Sequence, residues 1–175
     1  MHILMCNDDG ILADGLRQLA TYLSQYYRIT VVAPATEQSA KSHALTTEIP
    51  LKLDAYNGED ENPRLYALTG TPSDCMKFGL SYLLTDDMPD LVISGINHGF
   101  NLGSDVLYSG TVSAAMESCF YGIPGLALSV ERYSTERGNE MHPFIHDFIE
   151  KIYVNGKFDG LLNVNFPLRG ACDWD

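Results

Sequence analysis

Between Ile3 and Pro34 the chain runs through a strand, a helix and a second strand in immediate succession, and that order restricts it to a layered α/β fold. Ile3-Leu4-Met5-Cys6 is an apolar run of strand length. Beyond it, Leu16, Leu19, Ala20 and Leu23 fall at i, i+3, i+4 and i+7, which predicts an amphipathic helix over residues 14–26 with Asp14 as its cap. Arg28-Ile29-Thr30-Val31-Val32-Ala33 is rich in β-branched residues and stops at Pro34, the pattern of a strand buried in a parallel sheet. Together these segments form a β-α-β unit. Open sheets assembled from such units bind ligands beyond the carboxyl ends of their strands.

The rest of the chain continues this rhythm with one interruption. Ala35 to Ser42 is polar and aperiodic, a loop leaving the second strand. From His43 to Leu68, short alternating runs (Ile49 to Leu53, Leu65 to Leu68) flank Asn57-Gly58-Glu59-Asp60-Glu61-Asn62-Pro63 and predict a β-hairpin or small β insertion. Thr71-Pro72-Ser73-Asp74 signals a helix start, with Thr as cap, Pro at the first position and Asp at the positive end of the dipole; this helix should reach about Leu84. Pro89 to Ser94 reads as a buried strand and Gly95 to Tyr108 as a long loop, which in a compact domain is usually functional. Ser109-Gly110-Thr111 opens a helix ending at Gly122, Ile123 to Val130 returns as a strand, a helix covers about Met141 to Tyr153, and Leu161 to Phe166 is the last strand. The expected fold is a three-layer α/β/α, Rossmann-like, mainly parallel sheet with a small β-hairpin insertion, in one domain over residues 1–175.

Charge narrows the partners. The formal net charge is −12, with acidic clusters at Glu59-Asp60-Glu61 and Asp86-Asp87, which argues against a nucleic-acid partner. An anionic ligand would need a metal or backbone N–H groups to hold it. Cys6, Cys75, Cys119 and Cys172 are widely spaced and form no C-x-x-C, so they read as buried reduced thiols. Asp8 and Asp9 interrupt any signal-peptide core and no apolar run has the length of a membrane span; the expectation is a soluble cytoplasmic protein.

The chemistry centres on Asn7-Asp8-Asp9-Gly10, at the end of the first strand. Side chains alternate along a strand, so both carboxylates reach one point only where the strand has ended and Gly10 turns the backbone. Adjacent carboxylates repel unless a proton or cation neutralises them, and oxygen ligands suit Mg²⁺, Mn²⁺ or Ca²⁺; an acidic turn or helix cap is the plainer alternative. The Ser39 hydroxyl and Asn97 amide oxygen, on loops at the same sheet edge, could complete a hard-cation site. Tyr108-Ser109-Gly110-Thr111-Val112 enters a helix with free N–H groups, an anion seat or an ordinary cap. A metal and such a seat at one edge point to a phosphoryl group held between them. Gly99-x-Asn101-x-Gly103 is not a dinucleotide fingerprint and no P-loop occurs. His142 and His146, four apart without an H-E-x-x-H carboxylate, read as a solvated helix face; His43 could enter the pocket, and His98 could donate a hydrogen bond or face water. A phosphorelay receiver is the rival of another class, but its phosphoacceptor Asp is missing: the strand ends Ser94-Gly95-Ile96-Asn97, with no carboxylate before Asp105. A non-catalytic metal-dependent nucleotide binder stays open.

These residues resemble the SurE family, stationary-phase survival proteins that are metal-dependent 5′/3′-nucleotidases. The matching stretches are Asn7-Asp8-Asp9-Gly10, Ala33-Pro34 to Ser39, Ser42 to Thr46, Gly70 to Cys75, Ser94 to Asn97, Asn101-Leu102-Gly103, Tyr108 to Val112, Gly122-Ile123-Pro124 and Asn163-Val164-Asn165. The resemblance implies that Asp8, Asp9, Ser39 and Asn97 hold one divalent ion, Mg²⁺ or Mn²⁺. It implies hydrolysis of nucleoside 5′- and 3′-monophosphates to nucleoside and phosphate. Other phosphomonoesters and polyphosphate are the broader alternative. Asp9 would orient or deprotonate the attacking water or attack directly, with Asp8 beside it, and Asn101, Ser109, Gly110 and Thr111 would bind the phosphate. Where the family usually has Gly after Ser39, this chain has Ala40-Lys41, so the loop either holds a different backbone angle or brings a cation to the phosphate, making Lys41 a candidate substrate contact beside His43. Family members usually continue past Asn-Val-Asn into a C-terminal extension that helps build dimers and tetramers. A homo-oligomer is therefore expected if the shorter C-terminus permits it.

Overall fold

The structure, a computed structural model, describes residues 1–58 and 60–167. At its centre lies β1 (His2–Cys6), buried along its whole length. β2 (Arg28–Pro34) pairs with it in parallel on one side and β5 (Leu91–His98) on the other. Outside β2 come β4 (Arg64–Leu68), parallel, and β3 (Leu53–Ala55), antiparallel; outside β5 come β6 (Gly125–Val130) and β7 (Leu161–Phe166), both parallel. The seven-stranded order is thus β3-β4-β2-β1-β5-β6-β7.

Alternation along the strands divides the interior in two. Ile3, Met5, Val31 and Ile93 pack against α1 (Asp14–Leu23) and α4 (Thr135–Ile149) through Leu16, Leu19, Met141 and Ile145. Leu4, Cys6, Val32 and Val92 point the other way, against α2 (Pro72–Phe78) and α3 (Gly110–Cys119), meeting Cys75, Met76 and Ala114. Each fully buried Leu, Ile or Met is worth roughly 1.5–3 kcal/mol, so a one-residue slip of β1, which would exchange its faces, is strongly opposed. The three-layer α/β/α fold is the expected one.

Several boundaries differ from expectation, each for a local reason. Ala13, without a side-chain bond, caps α1, so Asp14 is the first helical residue and contributes charge at the N-terminus instead of a cap. The Thr71 cap is present as a complete capping box with Asp74, and α2 passes into a π-helical turn over Gly79–Leu83. The hairpin of β3 and β4 is also present, but its first strand begins at Leu53, Ile49 being exposed, and its second strand belongs to the main sheet. α4 starts at Thr135, about six residues before the expected Met141, because the Ser134 hydroxyl accepts from the Arg137 N–H while the polar first turns carry no apolar period to be seen in the sequence.

The expected loop from Gly95 to Tyr108 begins as strand: β5 continues to His98, and Gly103–Leu107 forms a 3₁₀ turn. Ser94 pairs with Ala127 and Asn97 with Ser129, so Gly95 and Ile96 bulge opposite Leu128. Gly95 stands at φ +133°, and a Cβ there would lie 2.3 Å from the Leu128 carbonyl oxygen. Only glycine fits this bulge.

Two side-chain expectations are corrected. His142 and His146 do not form a solvated face: His142 is buried beside Tyr22, ring centroids 5.5 Å apart, with its imidazole pushed down to about 4 by desolvation, and the half-buried His146 lies 4.0 Å from the Tyr26 ring. The reason is the packing of α4 on α1, which brings aromatic rings over that face. Cys6 and Cys75 are buried free thiols, but Cys119, at the exposed end of α3, is exposed, and Cys172 lies outside the described residues.

Candidate metal and phosphate site

The strand order turns outward in both directions from the β1–β5 pair, and the crevice beyond their carboxyl ends is where such sheets bind ligands. A cavity of about 530 Å³ opens there, lined by Asp8, Asp9, Glu37, Ser39, Ala40, Asn97, His98, Asn101, Asp105, Tyr108 and Ser109.

The β1 side is rigidly built. Asn7, fully buried, closes the turn by donating from Nδ2 to the Gly10 carbonyl and accepting the Gly10 N–H on Oδ1, both at 3.1 Å. Asp8 is 6% exposed and accepts the Thr111 hydroxyl on Oδ1 at 2.5 Å. Burial raises its pKa, against the lowering effect of hydrogen bonds from the Thr111 hydroxyl and N–H. A Cβ on Gly110 would stand 2.9 Å from the Asp8 Cβ, so glycine is what lets the start of α3 rest on this aspartate. The anion nearest that helix end is therefore the protein's own Asp8, which takes Thr111; Gly110 and Thr111 stand behind the carboxylate and Ser109 lines the cavity. Ser109 is also the helix cap, its hydroxyl accepting the Val112 N–H at 3.1 Å. Asp9, half-buried, is pushed up to about 6 by burial first, then by Asp8 and Glu37, with His98 opposing through its ring and its N–H.

The other ligand candidates arrive on loops. Ser39 donates its hydroxyl to Glu37 Oε1 at 2.7 Å. Its loop is tied down on both sides, by the Gln38 N–H on the Asp8 carbonyl (2.7 Å) and by Ser42, whose N–H and hydroxyl reach the Tyr108 and Leu107 carbonyls. The β5 bulge re-aims Asn97, whose Nδ2 donates to the Gly99 carbonyl at 2.8 Å and so leaves Oδ1 as the available atom. Asn101 is buried; its Nδ2 donates to Ser129 Oγ, its N–H to Asn165 Oδ1, and its carbonyl accepts from Asn163.

Asp8, Asp9, Ser39, Asn97, Asn101 and Ser109 are thus brought to one cavity. Lys41 and His43 are not among its lining residues. Lys41 is exposed, and His43 donates from Nε2 to Oε2 of the buried Glu117 at 2.6 Å, which draws it to the far end of α3. Glu37 and Asp105 are wall residues that the sequence did not single out. Asn163 and Asn165 escaped notice as clamps, although their period-two spacing puts both on one face of β7, where Asn165 pairs with Ser129. The donor set fits a hard cation: two carboxylates, an amide oxygen whose nitrogen is occupied and a hydroxyl whose hydrogen points elsewhere. Among the described residues no three His, Cys, Asp or Glu side chains cluster as a metal site, so the candidate set combines two carboxylates with neutral oxygens from Ser39 and Asn97.

Fold and site together define a doubly wound α/β protein with an acidic, oxygen-lined crevice at the switch point of its sheet. Comparison with known proteins narrows this class. The family model described as "Survival protein SurE" matches residues 3–175, and the chain belongs to that family. It is 48% identical over 168 residues to a protein named 5′-nucleotidase SurE of Thermoanaerobacter sp. (strain X514), covering 95% of this chain and 66% of the relative. The protein of the same name from Thermosipho africanus is 47% identical over 172 residues, with 95% and 65% covered. The crystal structure of the SurE protein from Aquifex aeolicus superposes with a TM-score of 0.82 at 38% identity, over 95% of this chain and 66% of that one. The chain therefore spans just under two thirds of the length of these relatives.

Proposed function

We propose that the chain is a divalent-metal-dependent phosphomonoesterase that converts nucleoside 5′- and 3′-monophosphates to nucleoside and inorganic phosphate. One observation carries this reading. Among the described residues the cavity wall holds four carboxylates (Asp8, Asp9, Glu37, Asp105) and no Lys or Arg, a lining that repels a phosphate dianion unless a cation neutralises it. The name 5′-nucleotidase SurE, borne by relatives of 48% identity, supports the substrate class. On the family resemblance we further read the chain as one domain and as a cytoplasmic homo-oligomer. No helix among the described residues is long and apolar enough to cross a membrane.

Asp8, Asp9, Ser39 and Asn97 would hold one Mg²⁺ or Mn²⁺, which when bound neutralises the wall and polarises the phosphoryl group. Asp8 is fixed by Thr111 and keeps its place throughout. Asp9, the more accessible carboxylate, orients a water and takes its proton as the water oxygen bonds to phosphorus. The ester P–O bond breaks opposite, the leaving alkoxide takes a proton from a water in the open cavity, and Asp9 releases its own proton to solvent. Ser109 and the second Nδ2 hydrogen of Asn101, both on the cavity wall, are the donors available to the phosphate oxygens, while Gly110 and Thr111 act from behind by seating Asp8.

Phosphate release from AMP and 3′-AMP, measured with Mn²⁺, with Mg²⁺ and after chelation, tests this. Release with either metal and its loss on chelation are expected. No release from any nucleotide would sink the enzymatic reading, and release that survives chelation would sink the metal site.

A further inference from the structure

We propose that Glu37 is a positioning residue for the cation, holding the Ser39 hydroxyl so that its lone pairs face the cavity shared with Asp8, Asp9 and Asn97. This rests on the metal reading above. A serine hydroxyl has one hydrogen and two lone pairs on a freely rotating bond, and it can ligate a cation only with the hydrogen turned away. Ser39 is exposed, where water would leave that rotor undefined. The 2.7 Å bond to Glu37 Oε1 defines it.

The loop is shaped to make this bond. Gln38, between the two residues, donates its N–H to the Asp8 carbonyl at 2.7 Å, so Glu37 and Ser39 are both placed relative to the β1 turn. Ala40 and Ser42 follow at φ +56° and +53°, left-handed conformations that turn the chain back immediately after Ser39. Glu37 also lines the cavity itself, and its charge is felt by both aspartates. Its contribution therefore has two parts, an acceptor that orients Ser39 and a negative charge near the ion. Glu37→Gln keeps an acceptor oxygen without the charge, and Glu37→Ala removes both.

Partners that orient a metal ligand are typically worth about 10–100-fold in metal affinity. Calorimetric titration of Mn²⁺ into the chelator-stripped chain separates the possibilities, with circular-dichroism melting to confirm that each variant is folded. Glu37→Ala should weaken binding about 10–100-fold. Glu37→Gln should lose less, and most of the loss should vanish in a Ser39→Ala background because Glu37 acts through Ser39. Wild-type affinity in Glu37→Ala overturns the inference, as does a loss that multiplies fully with that of Ser39→Ala. Absence of Mn²⁺ binding by the unsubstituted chain overturns the metal reading, and this inference with it.

Discussion

Asp8 and Ser39 face the same cavity from opposite kinds of structure. Asp8 is 6% exposed at the end of the central strand, gripped by Thr111 and roofed by the first turn of α3. Ser39 is exposed on a loop after β2, and its placement depends on backbone hydrogen bonds from Gln38 and Ser42 and on one bond to Glu37. The first half of the site is fixed by core packing, so altering it disturbs fold and chemistry together. The second half is fixed by a few polar contacts at the surface, so it can be altered with little effect on the core. A site made this way has its charge preorganised and its neutral hydroxyl adjustable.

Four substitutions probe that contrast, in order of expected effect. Asp8→Asn and Asp9→Asn keep the shape of the turn but remove its charge, and nucleotidase kcat/KM should fall about 10²–10⁴-fold in each. If both variants keep metal-dependent turnover, the β1 half is not the seat of the chemistry. Gly110→Ala places a methyl group 2.9 Å from the Asp8 Cβ and should cost about 1–3 kcal/mol in urea unfolding, with weaker Mn²⁺ binding. An unchanged unfolding midpoint would show that α3 does not bear on Asp8 as described. Ala40→Gly should do the reverse on the loop side. It relieves a left-handed backbone and should raise stability by about 0.5 kcal/mol, part of the gain being offset by the larger freedom of glycine in the unfolded chain. A drop in melting temperature on this change would mean that the loop is not strained at Ala40.

Ala40 also bears on the two readings of the loop after Ser39. Replacing the family's usual glycine with alanine suggested either a different backbone angle or a cation carried to the phosphate by Lys41. The loop takes φ +56° at Ala40, the region that favours glycine, and Lys41 is exposed away from the cavity lining. The turn keeps a glycine-like angle and strains to do so.

What was legible in the sequence was whatever rests on local physics. The β-α-β order, the period of α1, the Thr71-Pro72 capping box and the parallel strands follow from hydrophobic spacing and turn chemistry within a few residues. Elements with a polar face to solvent were harder to see, as the first turns of α4 show, because no apolar period marks them. The bulge at Gly95 was hidden for a different reason: it exists only because β6 lies beside β5, with the Leu128 carbonyl where a side chain would stand.

The site divides along the same line. The sequence alone determined that two adjacent carboxylates end the first strand, that a hydroxyl and an amide follow on loops at the same sheet edge, and that a capped helix begins with Gly-Thr. Only the tertiary structure decided that Thr111 is spent on Asp8, that His43 is drawn off by Glu117, that Asn163 and Asn165 clamp Asn101, and that Glu37 holds Ser39. Residue types and strand ends are set by short-range preferences. Which donor meets which acceptor in the site is set by packing among distant segments, 103 positions apart in the Thr111–Asp8 bond, and that is a property of the folded chain.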